Sequence, residues 1–213
     1  MRNIAKGQEP PSLTAWRNTN PTDYNGYRDM NTLRAFLLAE QLGICCYCQC
    51  RVHAAYNTMK VEHWHSHDRY PAERLLYRNL LASCLGGAGT PGRDQHCDTA
   101  KGDKDLFRNP ADPAHDVEVL LEYDNDGRIT STNAHFDKQL NTVLKLNQPF
   151  LMNSRKAVLD SLKEALRIRG GSLTSAKWQN ILDSWSRPNN QGHLQPYCSV
   201  VVYWARKHLA RVS

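Results

Sequence analysis

The chain of 213 residues is long enough to bury a sizeable hydrophobic core, as one large domain or two small ones. No apolar run approaches the roughly 20 residues that a membrane-spanning helix needs. The first residues, MRNIAKGQEPPS, do not form an apolar signal segment, so we expect a cytoplasmic protein. The formal charge of +6 and the pI near 9.0 are typical of a protein with an acidic partner such as nucleic acid.

The positive charge is concentrated in the last third of the chain. Residues 1–150 carry 17 Lys+Arg against 18 Asp+Glu, whereas residues 151–213 carry 10 against 3. A solvated helix face explains this excess as well as a binding surface does. The charge pattern therefore indicates a basic C-terminal third, but it does not show whether this part binds a partner.

The first 30 residues are predicted to form an irregular arm, because they contain three prolines, two glycines and several asparagines. The rings of Trp16, Tyr24 and Tyr27 indicate that this arm packs onto the rest of the protein. The next segment, TLRAFLLAEQLG at 32–43, has helical spacing of apolar residues and a glycine at its end.

Four of the seven cysteines lie within six residues, in the segment GICCYCQCRV at 43–52. An odd number excludes complete disulfide pairing, and thiols in the cytoplasm stay reduced. A redox CxxC motif normally lies in a βαβ context, which is not recognisable here. The cluster therefore indicates metal binding, and further ligands must follow later in the chain.

A structural zinc site is predicted from two pairs of cysteines. Cys45 and Cys48 have the spacing that lets two thiolates on one tight turn reach one ion. Cys84 and Cys97 flank a glycine-rich loop that can fold back on itself, so we expect them to supply the second pair. Cys198 lies in the apolar segment YCSVVVYWA and is expected to be a small core residue. Cys46 and Cys50 remain possible replacements for the first pair.

The remaining elements suggest an α+β fold that is mainly helical. A strand is expected to end at Glu62-His63, and residues 117–132 read as two strands around a turn at 125–127. Beyond the turn the apolar spacing is helical, with later helices near 174–186 and 198–210. We therefore divide the chain into three segments: an arm at 1–30, a Cys/His-rich unit at 31–110, and a hairpin with basic helices at 111–213.

The order of these motifs resembles the HNH nuclease family, and most closely the HNH subunit of Septu-type and retron-associated anti-phage systems. The likeness covers residues 1–110 well and the helical remainder loosely, and it includes GQEPPSL near the start and HCDTAKG at 96–102. It implies a ββα-metal unit, in which a hairpin and a helix hold one catalytic ion. The matching residues follow in family order: Cys45 and Cys48, Glu62-His63, Asn79-Leu80, Cys84, and Cys97 with Asp98 and Lys101.

The chemistry of phosphodiester hydrolysis suits these residues. A base must deprotonate water, and histidine can do so near neutral pH, so His63 is expected to be that base. Mg²⁺ or Mn²⁺ needs oxygen ligands, which Glu62 and Asp98 can supply. The resemblance implies that Asn79 holds the loop in place. Lys101 is expected to contact a phosphate at the start of the last helix of the unit.

The chain departs from the family pattern at two positions. The family usually has Asp before the histidine, where this chain has Glu62, and a late His or Asn ligand, where it has Asp98. Both changes keep an oxygen ligand, so we expect a tuned metal site. His65 is the main rival of His63 as the base, and HWHSH could instead be a second zinc site or a surface loop.

The resemblance implies a metal-dependent endonuclease that acts as the effector of an anti-phage complex and is gated by an ATPase subunit of the same system. In retron-associated members, a reverse transcriptase with its RNA and DNA would be a further partner. The helical part from about 134 is the expected docking surface, because it is rich in aromatic residues. The alternative is a zinc-stapled module that binds nucleic acid or protein without catalysis. The sequence does not distinguish DNA from RNA as the substrate.

Overall fold

The computed structural model describes residues 1–169 and 174–212, and within them the fold is α+β. Seven helices and two small antiparallel hairpins are described. The strands are β1 Met59–His63, β2 Leu80–Cys84, β3 Leu121–Tyr123 and β4 Ile129–Ser131. The helices are α1 Pro11–Thr19, α2 Met30–Glu40, α3 Cys97–Lys101, α4 Ala134–Thr142, α5 Pro149–Arg169, α6 Ser175–Ser186 and α7 Cys198–Val212.

The N-terminal arm packs onto the core as expected, but it is not wholly irregular. Pro10 precedes helix α1 and Pro11 is its first residue, a position that suits proline because proline lacks only a hydrogen-bond donor that the first helical turn would leave unpaired. Leu13 of α1 is completely buried, and Tyr27 is buried just before α2. The amide of Ile4 donates to the Pro110 carbonyl at 2.7 Å.

The hairpin β1–β2 is the centre of the first part of the chain. Glu62 pairs with Leu81 and His63 with Leu80, so the acid–histidine pair lies at the end of β1, as predicted. Helices α2 and α3 both contact β2. The Gln41 amide, just after α2, donates to the Ala82 carbonyl at 2.8 Å and accepts from the Ala82 amide at 2.7 Å. This side chain thereby pairs with the backbone carbonyl and amide of Ala82 at the open edge of β2.

The second hairpin turns at Gly127, as predicted, with φ at +76°. A side chain there would also place its Cβ 2.2 Å from the Met152 carbonyl oxygen, so the turn needs glycine for both conformation and space. The buried Arg155 guanidinium of α5 donates to the carbonyls of Gly127 and Leu146. The hairpin and α5 are thus fixed together.

Helix α7 belongs to the same hydrophobic core as the cysteine loop. One buried cluster contains Met1, Leu13, Cys45, Leu146 and Val201, and so joins all three predicted segments. Ser199 of α7 accepts a hydrogen bond from the Gln49 amide at 2.7 Å. Cys198 is fully buried, as expected for a core residue. The last helices are therefore part of the packing around the candidate site.

None of the helices in the described ranges combines the length and the apolar character needed to cross a lipid bilayer.

Candidate metal centre and catalytic site

Four buried cysteines form a cluster that could hold a metal ion, and they are the four predicted from the sequence. The Sγ atoms of Cys45, Cys48, Cys84 and Cys97 all lie within 4.8 Å of one another. The separations are 3.9 Å from Cys45 to Cys97 and 3.8 Å from Cys48 to Cys84. Sulfur atoms arranged tetrahedrally at about 2.3 Å from one Zn²⁺ would be about 3.8 Å apart. The donor set and its spacing thus fit zinc.

Two tight turns bring these cysteines together. In the first, the Cys45 amide donates to the Cys50 carbonyl at 3.0 Å, and Gln49 adopts a positive φ of 68°. In the second, the His96 amide donates to the Gly86 carbonyl at 2.9 Å, which closes the glycine-rich loop between Cys84 and Cys97. A Cβ on Gly86 would lie 2.2 Å from the His96 carbonyl oxygen, so glycine is needed for this closure.

The two spare cysteines are outside the group of four. Cys46 is buried, and its burial raises the pKa of its thiol well above the usual range. Cys50 is partly exposed at the edge of the cluster, and hydrogen bonds with Cys45, Cys48 and Cys84 raise its pKa. The sequence left open which two of the four neighbouring cysteines belong to the cluster. The conformation of the turn places Cys45 and Cys48 there.

Glu62 is held by two partners, and each of them lies in a segment that also contributes to the cysteine cluster. The hydroxyl of Tyr47, which lies between Cys46 and Cys48, donates to Glu62 Oε1 at 2.7 Å. The Lys101 ammonium of α3 lies 2.9 Å from the same oxygen. Both contacts use Oε1, and a hydrogen bond with Asp98 further engages the Glu62 carboxyl group. Tyr47 was not identified from the sequence, although its place inside the C-x-Y-C motif was the available signal.

The structure places Lys101 differently from the prediction. Lys101 is the last residue of α3 instead of lying at its start, and only 1% of it is exposed. Its ammonium also donates to the His63 carbonyl at 2.9 Å. In this conformation the ammonium is bound to Glu62 and to the His63 carbonyl, and the phosphate contact expected for Lys101 stays a prediction.

Asp98 lies beside Glu62 and completes a pair of carboxyl groups. Burial and the Asp98 carboxyl raise the pKa of Glu62, whereas Lys101 and Tyr47 act in the opposite direction. The pKa of Asp98 is lowered, because a hydrogen bond with Glu62 and the charge of Lys60 outweigh its burial. Lys60 Nζ lies 3.1 Å from Asp98 Oδ2. The two carboxyl groups are therefore close enough to interact through a hydrogen bond, and they offer oxygen atoms of the kind that divalent cations prefer.

His63 is oriented by the backbone of the loop that follows it. Its Nε2 lies 2.9 Å from the Arg74 carbonyl oxygen. Since a carbonyl only accepts, Nε2 carries the proton and Nδ1 keeps its lone pair. Burial lowers the pKa of His63 to about 4, so the ring is neutral at pH 7. The charge of Asp98 also acts on this ring, which places the two groups in the same neighbourhood.

Asn79 holds the loop between the strands. Its amide donates to the carbonyls of His65 at 3.0 Å and Glu73 at 3.1 Å, and its Oδ1 accepts from the His65 amide at 2.7 Å. The His65 ring is itself engaged by Glu73, with Nδ1 2.9 Å from Oε2, and stacks on Tyr70. These contacts fix the end of β1, and they leave His63 better placed than His65 to act as a base.

Two further rings contact His63, and the sequence did not assign either of them to the candidate catalytic site. Tyr24, from the arm, lies edge-on at 4.6 Å between ring centroids, and His67 lies at 5.2 Å. His67 Nδ1 lies 2.9 Å from Asp68 Oδ1, while its buried Nε2 has no hydrogen-bond partner in the described part of the chain. Only folding brings the arm to this site, so local sequence carried no signal for Tyr24.

The aromatic residues expected to form a docking surface are largely used in packing. Trp178 is buried and stacks on His208 at 4.2 Å. The other four, Trp185, Tyr197, Tyr203 and Trp204, are partly buried against the hydrophobic core. They therefore give weak support to a partner surface on these helices.

No protein-family model matches the chain, and no curated protein matches it at a significant level. The function must accordingly be argued from the site itself.

Proposed function

We propose that the protein is a metal-dependent endonuclease of the HNH type that hydrolyses phosphodiester bonds. The observation that carries this proposal is the orientation of His63, with Nε2–H bound to the Arg74 carbonyl and Nδ1 available, at the strand end shared with the carboxyl pair Glu62–Asp98. A histidine, a carboxyl pair and a cysteine cluster on one hairpin-and-helix unit are more than a binding module needs.

In this proposal His63 is the general base. Its Nδ1 accepts a proton from the attacking water, and the Arg74 carbonyl stabilises the resulting imidazolium through Nε2–H. Glu62 and Asp98 would hold Mg²⁺ or Mn²⁺, with Tyr47 and Lys60 orienting the two carboxylates. When bound, the cation stabilises negative charge on the phosphate and on the leaving oxygen. Asn79 is a positioning residue, because its contacts are with the loop backbone.

Zinc in the four-cysteine cluster would be structural. The four thiols use every ligand position of a tetrahedral site, which leaves none for water or substrate. Such a site would lock the turn at 45–50 to β2 and to the start of α3. It would therefore set the positions of Tyr47 and Asp98.

The competing function is a zinc-stapled binding module, and one observation favours it. Lys101 already neutralises Glu62 at 2.9 Å, so the carboxylate has an internal partner before any cation binds. A module of this kind would hold nucleic acid through its basic helices and would lack hydrolytic activity.

The resemblance to the Septu-type subunit further leads us to propose an ATPase partner that gates the nuclease in the cytoplasm. Exposed cations on α5 and α7, such as Lys163, Arg167 and Arg206, are the surface that such a partner or the nucleic acid would meet. Because α7 shares the hydrophobic core with Met1 and Cys45, truncation would disturb the whole protein. Charge reversal of Arg167 or Lys163 in the full chain is the better test of co-purification with an ATPase encoded beside it.

The nuclease activity is tested with purified full-length chain, incubated with plasmid DNA, phage DNA and tRNA, with and without Mg²⁺. We expect Mg²⁺-dependent cleavage of at least one substrate, and its loss in His63→Ala. Binding without cleavage under every divalent-metal condition would favour the binding module instead.

A further inference from the structure

Arg34 is a buried cation without a counter-charge in the described part of the chain. It lies on α2, and only 8% of the residue is exposed. Its single hydrogen bond is a long one, 3.5 Å from NH1 to Asn31 Oδ1. The Nε atom is shielded from solvent and has no acceptor. A guanidinium offers five N–H donors, and among the described residues only Asn31 accepts from them.

This arrangement is costly for a structural arginine. Buried charges are normally paired and hydrogen bonded, because desolvation of an ion is not otherwise compensated. Arg155 illustrates the structural case: it is 3% exposed, and its guanidinium donates to two carbonyls and to the Asn147 side chain. Arg34 has comparable burial without comparable acceptors. Unlike Nε, the terminal NH2 group is not shielded from solvent, so an acceptor from outside the chain would meet this end of the guanidinium.

Arg34 lies near the candidate catalytic site. Its charge lowers the pKa of Tyr24, against the larger effect of burial, while the charge of Asp98 raises that pKa. The charges of Arg34 and Asp98 therefore both act on Tyr24, whose ring contacts that of His63. On another side, Arg34 lies 5.5 Å from the ring of Tyr56, which is 81% exposed. The guanidinium is thus close enough to Tyr24 to act on it electrostatically, and it also lies near a side chain in solvent.

We propose that Arg34 binds a phosphate group of the nucleic acid, beside the scissile bond. Guanidinium is suited to phosphate because it donates two parallel hydrogen bonds to two oxygens. The site takes the role that the sequence suggested for Lys101, whose ammonium is bound to Glu62. The choice of a phosphate as the ligand rests on the proposed nuclease function, since His63 and the carboxyl pair act on a phosphodiester.

The test compares Arg34→Gln and Arg34→Lys with Arg93→Gln, which removes the same charge from an exposed arginine paired with Asp94. Binding of a fluorescein-labelled 20-base-pair DNA and of a 20-nucleotide RNA is measured by anisotropy without added Mg²⁺, over a range of salt concentrations. Melting temperatures are measured in phosphate-free buffer and with inorganic phosphate, which stabilises a protein that binds it.

We expect Arg34→Gln to weaken binding of at least one probe by about tenfold or more and to reduce its salt slope by about one phosphate contact. Arg34→Lys should be intermediate, because it keeps the charge but not the paired donors. In phosphate-free buffer the Arg34→Gln melting temperature should be unchanged or higher, and its rise with phosphate should be smaller than in wild type. Arg93→Gln should behave as wild type in the melting experiment.

The proposal is overturned if Arg34→Gln binds both probes as Arg93→Gln does, or if it melts at a lower temperature and keeps the full response to phosphate. It is also overturned if the wild-type chain binds neither probe and gains no stability from phosphate. A wild-type chain that binds through Arg34 but cuts no nucleic acid with Mg²⁺ present would retain the phosphate site and refute the nuclease function.

Discussion

The Lys101 ammonium lies 2.9 Å from Glu62 Oε1, and both side chains are almost completely buried. This pair links the C-terminal end of α3 to the end of β1. The same ammonium donates to the His63 carbonyl, so one side chain fixes the strand backbone and the carboxylate together. Lys101 is therefore a positioning residue at the candidate site.

Lys101→Met should lower the free energy of unfolding by about 3 kcal/mol, because it leaves Glu62 buried without its cation. The double variant Glu62→Gln with Lys101→Met should lose less than the sum of the two single losses. Urea denaturation of the three variants measures both quantities. Additive losses would mean that the two side chains do not act as a pair.

Purified protein should contain about one zinc ion per chain, since four thiols complete a tetrahedral site. Cys84→Ser should lose the zinc and much of the solubility, whereas Cys198→Ser should keep the zinc, because Cys198 is buried outside the cluster. Elemental analysis of fresh, unchelated protein measures the content. A zinc-free wild-type protein would refute the assignment.

His63→Ala should reduce cleavage by about 10²–10⁴, the usual effect of removing a general base. Zinc content and melting temperature should remain near those of wild type. His53→Ala is the control, because His53 is exposed outside the site. If His65→Ala loses activity while His63→Ala cuts at the wild-type rate, the base is His65.

Tyr47→Phe should raise the Mg²⁺ concentration needed for half-maximal cleavage by about 10- to 100-fold, because it removes the hydroxyl that orients Glu62. Zinc should remain bound, since no thiol is changed. Measuring cleavage rate against Mg²⁺ concentration separates this effect from a general loss of activity. An unchanged Mg²⁺ requirement would show that the hydroxyl does not act through the metal site.

Gly127→Ala should destabilise the protein by more than about 1 kcal/mol, because the added Cβ would lie 2.2 Å from the Met152 carbonyl oxygen at a positive φ. Gly89→Ala is a useful comparison, since Gly89 also has a positive φ but has no atom within 4 Å of the added Cβ. Equal losses in thermal unfolding would assign the effect to backbone conformation alone.

Features that depend on local pattern could be predicted from the sequence alone. Helical apolar spacing placed α6 and α7, and the Asn-Asp-Gly turn placed the second hairpin. Spacing along the chain also identified Cys45 and Cys48 as one ligand pair, because two thiols on one turn can reach one ion. The same reasoning placed Glu62-His63 at the end of a strand.

Contacts between distant segments could not be predicted in this way, because they form only when the chain is folded. Lys101 is directed to Glu62, and Tyr24 reaches His63 from the arm, because folding brings together residues 39 positions apart in each case. Arg34 lies in the segment that the sequence predicts as a helix. That its Nε lacks an acceptor is visible only in the folded protein. The burial of a side chain and its hydrogen-bond partners depend on contacts with residues throughout the fold. The local pattern that predicts a helix or a turn therefore does not reveal them.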